Sequence, residues 1–194
     1  PQNPKTPHIF SNLKIKSKDN LNLQQYNNTI RNMASKINSP PADNENILVD
    51  AYRVKTISCS SCVKGSNSRN VLLADESMWM SEPGLPQSLV IDLVNNFKNH
   101  DGHTLKRNYT CFGFRCSHAY SSNPAKIELN YSADGASFQT WVLITQTTFR
   151  KGAQYFSIPP LCSSRVKYLE LVIKDSFGAN RTYLSEVFLF ADEK

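Results

Sequence analysis

Short segments in which apolar and polar residues alternate follow one another from Leu48 to Phe190, with turn residues between them. A period of two places alternate side chains on opposite faces of a β-strand, so each segment can turn one face to a core. The segments are Leu48–Ser58, Ser88–Leu93, Tyr109–Cys116, Lys126–Ser132, Trp141–Thr145, Gln154–Ile158, Lys167–Lys174 and Tyr183–Phe190. Tight-turn signals occur at Asp134-Gly135 and at Gly178. Regularly spaced short strands predict an all-β, antiparallel β-sandwich.

The first 46 residues differ in composition from the rest, because Asn, Lys, Ser and Pro dominate and large apolar residues are few. Such a segment buries too little apolar surface to offset the entropy lost on ordering, which predicts a flexible extension over residues 1–46 and the sandwich over 47–194. Within the extension, apolar residues at helical spacing predict one amphipathic helix. These residues are Tyr26, Ile30, Met33 and Ile37. The helix is expected to pack on the sandwich; the alternatives are that it docks on a partner or that the segment is frayed.

Charge and motifs exclude several classes of function. The formal net charge is +6, but the basic residues are scattered along the chain, whereas phosphate binding by charge requires a clustered footprint. No specific nucleic-acid partner is therefore expected. Nucleophile elbows, phosphate-binding glycine loops and His-Glu-x-x-His motifs are absent from the sequence, so the chain is expected to have no enzymatic activity.

The order of the motifs resembles that of the discoidin-like domains (coagulation factor V/VIII type C), members of the galactose-binding-like superfamily. An apolar anchor, an acidic turn and Trp79 precede an alternating strand, and a strand with a Ser-x-Asp-Gly turn follows. The matching stretches are residues 70–81, 87–93, 125–141, 168–174 and 183–190. The resemblance implies a jelly-roll sandwich that acts as a binding module and places Trp79 in the core.

The resemblance also implies which end of the sandwich binds ligands. Family members recognise ligands with the loops at the end where the first core strand exits. On this sequence those loops carry charged, amide and aromatic side chains that suit a sugar or a peptide. The expected ligand-binding residues are Arg69, Arg115, His118, Tyr120 and Asn123.

The cysteines raise the question of a metal. Cys59 and Cys62 form a Cys-x-x-Cys pair after a strand, and Cys116 and His118 follow a strand that ends at the same side of this topology. Thiolates and imidazole are the ligands that tetrahedral zinc prefers, so these four residues are a candidate zinc site. The alternatives are buried free thiols, which are favoured, and disulfides.

Calcium is a weaker expectation than zinc. Lectin-type relatives hold a structural calcium between the acidic turn and a Glu of the final strand, which correspond here to Asp75 and Glu186. The relatives' Asp-Gly turn is replaced by Asp75-Glu76, so the carbonyl geometry that calcium requires is altered. Glu186 is expected instead to pair with a nearby base or backbone group.

The sequence leaves two functions open. The favoured one is a non-catalytic protein-interaction module of an intracellular scaffold, of a ciliary, centriolar, ubiquitin-ligase or repair type, in the cytoplasm or cytoskeleton. The disulfide that ties the two ends of secreted relatives is impossible, since no cysteine follows Cys162, and this indicates a reducing compartment. The alternative is a secreted lectin-like domain that binds carbohydrate or acidic phospholipid. Met78, Met80 and Leu85 are the candidate membrane-contacting residues, unless they cover the mouth of the sandwich.

Overall fold

The computed structural model describes residues 33–48, 54–97 and 106–193. These ranges form an all-β structure with three short 3-10 helices, at Ser68–Leu72, Val94–Phe97 and Ser163–Arg165. The strands are β1 (Ser35–Ile37), β2 (Glu45–Asn46), β3 (Lys55–Cys59), β4 (Trp79–Met80), β5 (Gln87–Asp92), β6 (Arg107–Cys116), β7 (Pro124–Ser132), β8 (Gln139–Ile144), β9 (Gly152–Cys162), β10 (Tyr168–Ser176), β11 (Tyr183–Leu184) and β12 (Glu186–Glu193). No helix in this part of the chain is long and apolar enough to cross a membrane.

Two five-stranded antiparallel sheets face each other. One has the strand order β1-β9-β6-β12-β2 and the other β3-β5-β10-β7-β8, while β4 and β11 form a separate two-stranded ribbon. Long strands that follow one another in the chain lie in opposite sheets or pair as neighbours in one sheet. The connections therefore pass from sheet to sheet at the two ends of the sandwich. The predicted antiparallel β-sandwich is confirmed.

Alternation along the strands builds the core between the sheets. In β5 every second residue is buried, and Leu89 and Ile91 are fully enclosed. In β12 the residues Val187 and Leu189 enter the same core. Trp79 is also fully buried, which confirms its expected place in the core. Because each large apolar side chain contributes about 1.5–3 kcal/mol when buried, the paired inner faces hold the sheets together.

The end of the predicted N-terminal helix is a strand. Residues Ser35–Ile37 form β1 and pair antiparallel with β9, with Ser35 opposite Ser157. Met33 makes an isolated bridge to Leu143. The helix prediction is therefore wrong over its last residues, because backbone pairing with an exposed sheet edge outweighs helical spacing. The earlier residues of that prediction, Tyr26 and Ile30, lie outside the described ranges, and the division at residue 46 stays a prediction.

The predicted Asp134-Gly135 turn joins β7 to β8. The Asp134 carboxylate accepts hydrogen bonds from the backbone amides of Ala136 and Ser137, both at 2.9 Å, and from the Ser132 hydroxyl at 2.7 Å. Gly135 has a φ of 79°, in the left-handed region that glycine adopts without strain. These hydrogen bonds lower the pKa of Asp134 from 3.8 to about 2.

This turn predicts an acid-dependent part of the stability. Since the pKa is lower in the folded chain, the unfolded chain takes up the proton first, and the stabilisation present above about pH 4 is lost as the pH falls towards about 2. Urea unfolding at several pH values should show that Asp134→Asn weakens this loss. An acid dependence identical to that of the wild type would contradict the assignment.

Candidate functional site

Four connections meet at one end of the sandwich, because β3, β6, β8 and β10 all end there. They are residues 60–86, 117–123, 145–151 and 177–182. This is the end predicted to carry the binding loops. The opposite end carries the β7–β8 turn and the 3-10 helix at Ser163–Arg165.

Asn123 ties three of these loops together. Its side-chain amide donates to the carbonyl oxygens of His118 at 3.0 Å and of Arg150 at 3.3 Å, and its Oδ1 accepts from the Tyr120 amide at 3.3 Å. Its carbonyl oxygen accepts from the Phe177 amide at 3.1 Å. Asn123 itself is fully buried. It was predicted to bind ligand, but this geometry makes it a positioning residue that fixes the loops around it.

An aromatic stack lies on the first of these loops. The rings of His118 and Tyr120 are nearly parallel, at 9°, with centroids 5.0 Å apart. Tyr120 also packs on Tyr183, whose ring is buried and whose centroid is 5.4 Å away. The His118 amide donates to the Tyr183 hydroxyl at 2.5 Å. Tyr120 keeps 46% of its surface exposed, so the stack presents a supported aromatic face to solvent.

Beside His118 lies a cleft of about 400 Å³. That volume lies within the range of small-molecule sites in proteins. The side chains along it are mainly charged or polar, with one thioether. They include Asp75, Glu76, Met78, Arg115, Ser117, His118 and Lys151. Cationic donors and carboxylate acceptors therefore face the same small volume, next to the exposed aromatic face.

Arg115 is held in the cleft by its neighbours. Its guanidinium forms an ion pair with Glu186 at 3.2 Å and lies 5.6 Å from the centre of the Phe188 ring. The pKa of Glu186 is raised above its usual value. Burial raises it most, the negative charge of Asp75 adds to the rise, and the positive charge of Arg115 offsets only part of it. The expected pairing of Glu186 with a base is confirmed. The exposed side of Arg115 stays available to a ligand, since 45% of the side chain is accessible.

Of the predicted ligand-binding residues, Arg115 and His118 line the cleft and Tyr120 lies beside it. Arg69 is exposed on the 3-10 helix Ser68–Leu72 and does not line it. Lys151 and Glu76 also line the cleft, although neither was among the predicted ligand-binding residues. Counting strand directions would have indicated Lys151, because the β8–β9 loop must lie at the same end as the β6–β7 loop.

The four residues of the candidate zinc site do not form one cluster. Cys59 and Cys62 lie together, with their sulfur atoms 3.0 Å apart. Cys116 is fully buried, its thiol faces the Tyr183 carbonyl oxygen, and burial raises its pKa to about 12. Within residues 33–48, 54–97 and 106–193, no group of three His, Cys, Asp or Glu side chains could hold a metal ion. A zinc ion needs deprotonated, convergent ligands, which this set does not supply.

The candidate calcium pair does not fit that ion either. Glu186 is engaged by the Arg115 guanidinium, so a positive group already neutralises its charge. The Asp75 carboxylate accepts from the amide and hydroxyl of Ser77 within its own turn. Calcium takes six to eight oxygen ligands, and no group of three acidic, His or Cys side chains in the described part of the chain is placed to hold an ion.

The fold matches solved carbohydrate-binding modules. No protein-family profile matches the sequence, and no curated protein sequence matches it significantly. Among similar structures is a Clostridium perfringens family 32 module in complex with GalNAc-β-1,3-galactose (TM-score 0.60, 15% identity, 75% of this chain and 99% of that one). Another is the C-terminal domain of a Bacteroides fragilis chitobiase (TM-score 0.60, 15% identity, 77% and 99%). A third is the family 32 module of C. perfringens NanJ in complex with galactose (TM-score 0.54, 12% identity, 76% and 98%).

These neighbours correct the favoured functional prediction. The two Clostridium perfringens structures are carbohydrate-binding modules, so the expectation of an intracellular, cytoskeletal scaffold module is wrong, and its lectin-like alternative is the better supported one. The expected intracellular localisation is contradicted by the same finding. A protein partner gains no support from these structures. Strand order, the buried Trp79 and the structural neighbours agree that this chain has the discoidin-like, galactose-binding-like β-sandwich fold.

Proposed function

We propose that this chain is a non-catalytic, secreted carbohydrate-binding module whose site is the cleft beside His118 and Tyr120. The observation that carries the proposal is the exposed His118–Tyr120 stack next to a cleft of charged side chains. Structural neighbours in complex with galactose and with GalNAc-β-1,3-galactose support a sugar as the ligand class.

The chemistry of sugars suits both halves of this site. A pyranose has an apolar face of C–H groups, which packs on an aromatic ring, and a rim of hydroxyl groups, which donate and accept hydrogen bonds. Tyr120 and His118 offer the ring surface, and large aromatic side chains supply contact area with little loss of side-chain entropy. Charge-assisted hydrogen bonds are about twice as strong as neutral ones, so the charged rim favours hydroxyl recognition.

The cleft side chains divide into donors and acceptors. Arg115 and Lys151 supply cationic donors, while Asp75 and Glu76 supply acceptors. Arg115 is fixed by Glu186 and the Phe188 ring, so less rotamer entropy is lost when it binds. This balanced set of charges favours a neutral sugar over a polyanionic one. A fixed donor and a supported aromatic face are the features that give a small site its specificity.

A lipid surface suits the same end less well. Met78, Met80 and Leu85 are half-buried and pack against the core, so they cover the mouth of the sandwich. Among the described residues at this end, Tyr120 and Phe149 are the large apolar side chains with substantial exposure. Two exposed rings are a small surface for membrane insertion.

The Tyr120→Ala variant tests the site. On an array of neutral galactose-, GalNAc- and glucosamine-terminated glycans, the wild type is expected to select a subset. Calorimetry with the selected glycan should show affinity at least about tenfold weaker for Tyr120→Ala, which corresponds to about 1.4 kcal/mol. Phe149→Ala is the matched control, because Phe149 is 53% exposed at the same end but does not line the cleft.

Two results would contradict the proposal. One is equal weakening by Phe149→Ala and Tyr120→Ala, which would indicate non-specific adhesion of exposed rings. The other is binding to phosphatidylserine vesicles together with no binding to any glycan, which would assign this end to a lipid surface.

A further inference from the structure

Two thiols lie unusually close at the start of the longest loop of the site end. The sulfur atoms of Cys59, the last residue of β3, and Cys62 are 3.0 Å apart. That separation is within about 1 Å of the 2.03–2.05 Å of a disulfide bond. We propose that Cys59 and Cys62 form a reversible disulfide in an oxidising compartment. Neither cysteine lines the cleft proposed for glycan binding, so this redox site does not rest on the proposed function.

The loop between the two cysteines is held in the shape that brings them together. The hydroxyl groups of Ser60 and Ser61 both donate to the Gln87 side-chain oxygen, the latter at 2.6 Å. The Ser60 amide donates to the Ser88 carbonyl oxygen at 2.8 Å. Both thiols are partly accessible rather than enclosed. Little backbone movement is therefore needed for the sulfur atoms to bond.

The other cysteines lack this combination of proximity and access. Cys111 and Cys116 are fully buried on β6, and burial raises their pKa values to about 11 and about 12. Since the thiolate is the reactive form, both are poor partners for exchange. Cys162 ends β9 at the opposite end of the sandwich. Of the five cysteines, only Cys59 and Cys62 are thus expected to be oxidised to a disulfide.

The disulfide can form by thiol–disulfide exchange with an oxidant such as glutathione disulfide. The thiolate of one cysteine attacks a sulfur of glutathione disulfide, breaks its S–S bond and releases one glutathione thiolate. The second cysteine, as its thiolate, then attacks the mixed disulfide, forms the Cys59–Cys62 bond and releases the second glutathione thiolate. The two protein thiols lose two protons and two electrons, and two molecules of glutathione thiol are produced. Burial and the hydrogen bond to Cys62 raise the pKa of Cys59, so exchange should quicken as the pH rises.

The test uses the full 194-residue chain in glutathione redox buffers, followed by acid quench, alkylation and mass measurement. Trypsin releases both cysteines on one peptide, residues 56–64, and places Cys111, Cys116 and Cys162 on three others. We expect this peptide to become lighter by two hydrogen atoms and to lose alkylation at both sulfurs, while the other three peptides alkylate fully. Closing so short a loop should raise the melting temperature by roughly 4 °C.

Single variants provide the control. In Cys59→Ser or Cys62→Ser the remaining thiol cannot close the bridge, so it should accumulate as a mixed disulfide with glutathione, and the rise in melting temperature should disappear. Complete alkylation of both cysteines in the most oxidising buffer would overturn the proposal. Preferential oxidation of Cys111, Cys116 or Cys162 would overturn it as well.

Discussion

Replacing Trp79 by alanine is expected to lower the free energy of unfolding by about 4 kcal/mol. Trp79 is fully buried, and its indole nitrogen donates to the Ser61 carbonyl oxygen at 2.9 Å. The substitution leaves a large cavity under the site loops and removes the donor from that carbonyl group. Because the free energy of unfolding of a native protein is only about 5–15 kcal/mol, this variant should lose a large part of its stability. Urea unfolding of the full chain measures the change.

Trp79→Phe is the control for this prediction. Phenylalanine keeps most of the apolar contacts and loses the hydrogen bond, so the expected loss is smaller, about 1–2 kcal/mol. If the free energy of unfolding of Trp79→Ala fell by less than about 1 kcal/mol, allowing for the error of the linear extrapolation, the loops would not depend on this side chain.

Replacing Asn123 by alanine is expected to affect stability and glycan binding together. The variant removes the partner of the His118 and Arg150 carbonyl oxygens and of the Tyr120 amide. Loss of these hydrogen bonds from a fully buried residue should lower the free energy of unfolding by about 3 kcal/mol. The aromatic stack then loses its fixed position, so affinity for the selected glycan should fall at least about tenfold, or about 1.4 kcal/mol.

Asn130→Ala separates these two effects. Asn130 is also a buried asparagine, and its amide donates to Glu170 at 2.9 Å, but it lies on β7 away from the loops. This variant should lose stability and keep its affinity for glycan. Equal loss of affinity in both variants, measured by calorimetry well below their melting temperatures, would show that Asn123 acts only through global stability.

The strands were predictable because their signal is local. For β5, alternation from Ser88 to Leu93 predicted a strand that the structure has at Gln87–Asp92. The two-residue strands β2 and β4 are too short to show a period of two. β1 was mistaken for the end of a helix, because its pairing with β9 joins residues more than a hundred positions apart. Helical spacing of four apolar residues carries no information about such a distant partner.

The position of the candidate residues was predictable where topology alone decides it. The end of the sandwich and the convergence of Arg115, His118 and Tyr120 follow from strand direction. The role of Asn123 did not follow, because a buried amide and an exposed amide look alike in a sequence. Alternation already placed Cys116 on the same face as Phe112 and Phe114, and that face is the core. A buried core thiol was therefore a better interpretation of Cys116 than a zinc ligand.

The favoured function, an intracellular scaffold module, was the part of the sequence-based prediction that is wrong. Free cysteines and the missing end-to-end bridge favoured an intracellular module, but these features concern the redox environment and not the surface that binds. The arrangement of rings and charges around the cleft depends on three loops that are distant in sequence, so it becomes visible only once the fold is known.

The most direct test of the proposed site is an NMR titration of the full chain with the glycan selected on the array. We predict that amide resonances shift for residues 75–78, 115–120 and 150–152, which surround the cleft and the His118–Tyr120 stack. Residues 133–137 and 163–165, at the opposite end, should stay unchanged. Saturable shifts confined to the opposite end, or shifts that are not localised at either end, would contradict a carbohydrate site at this cleft.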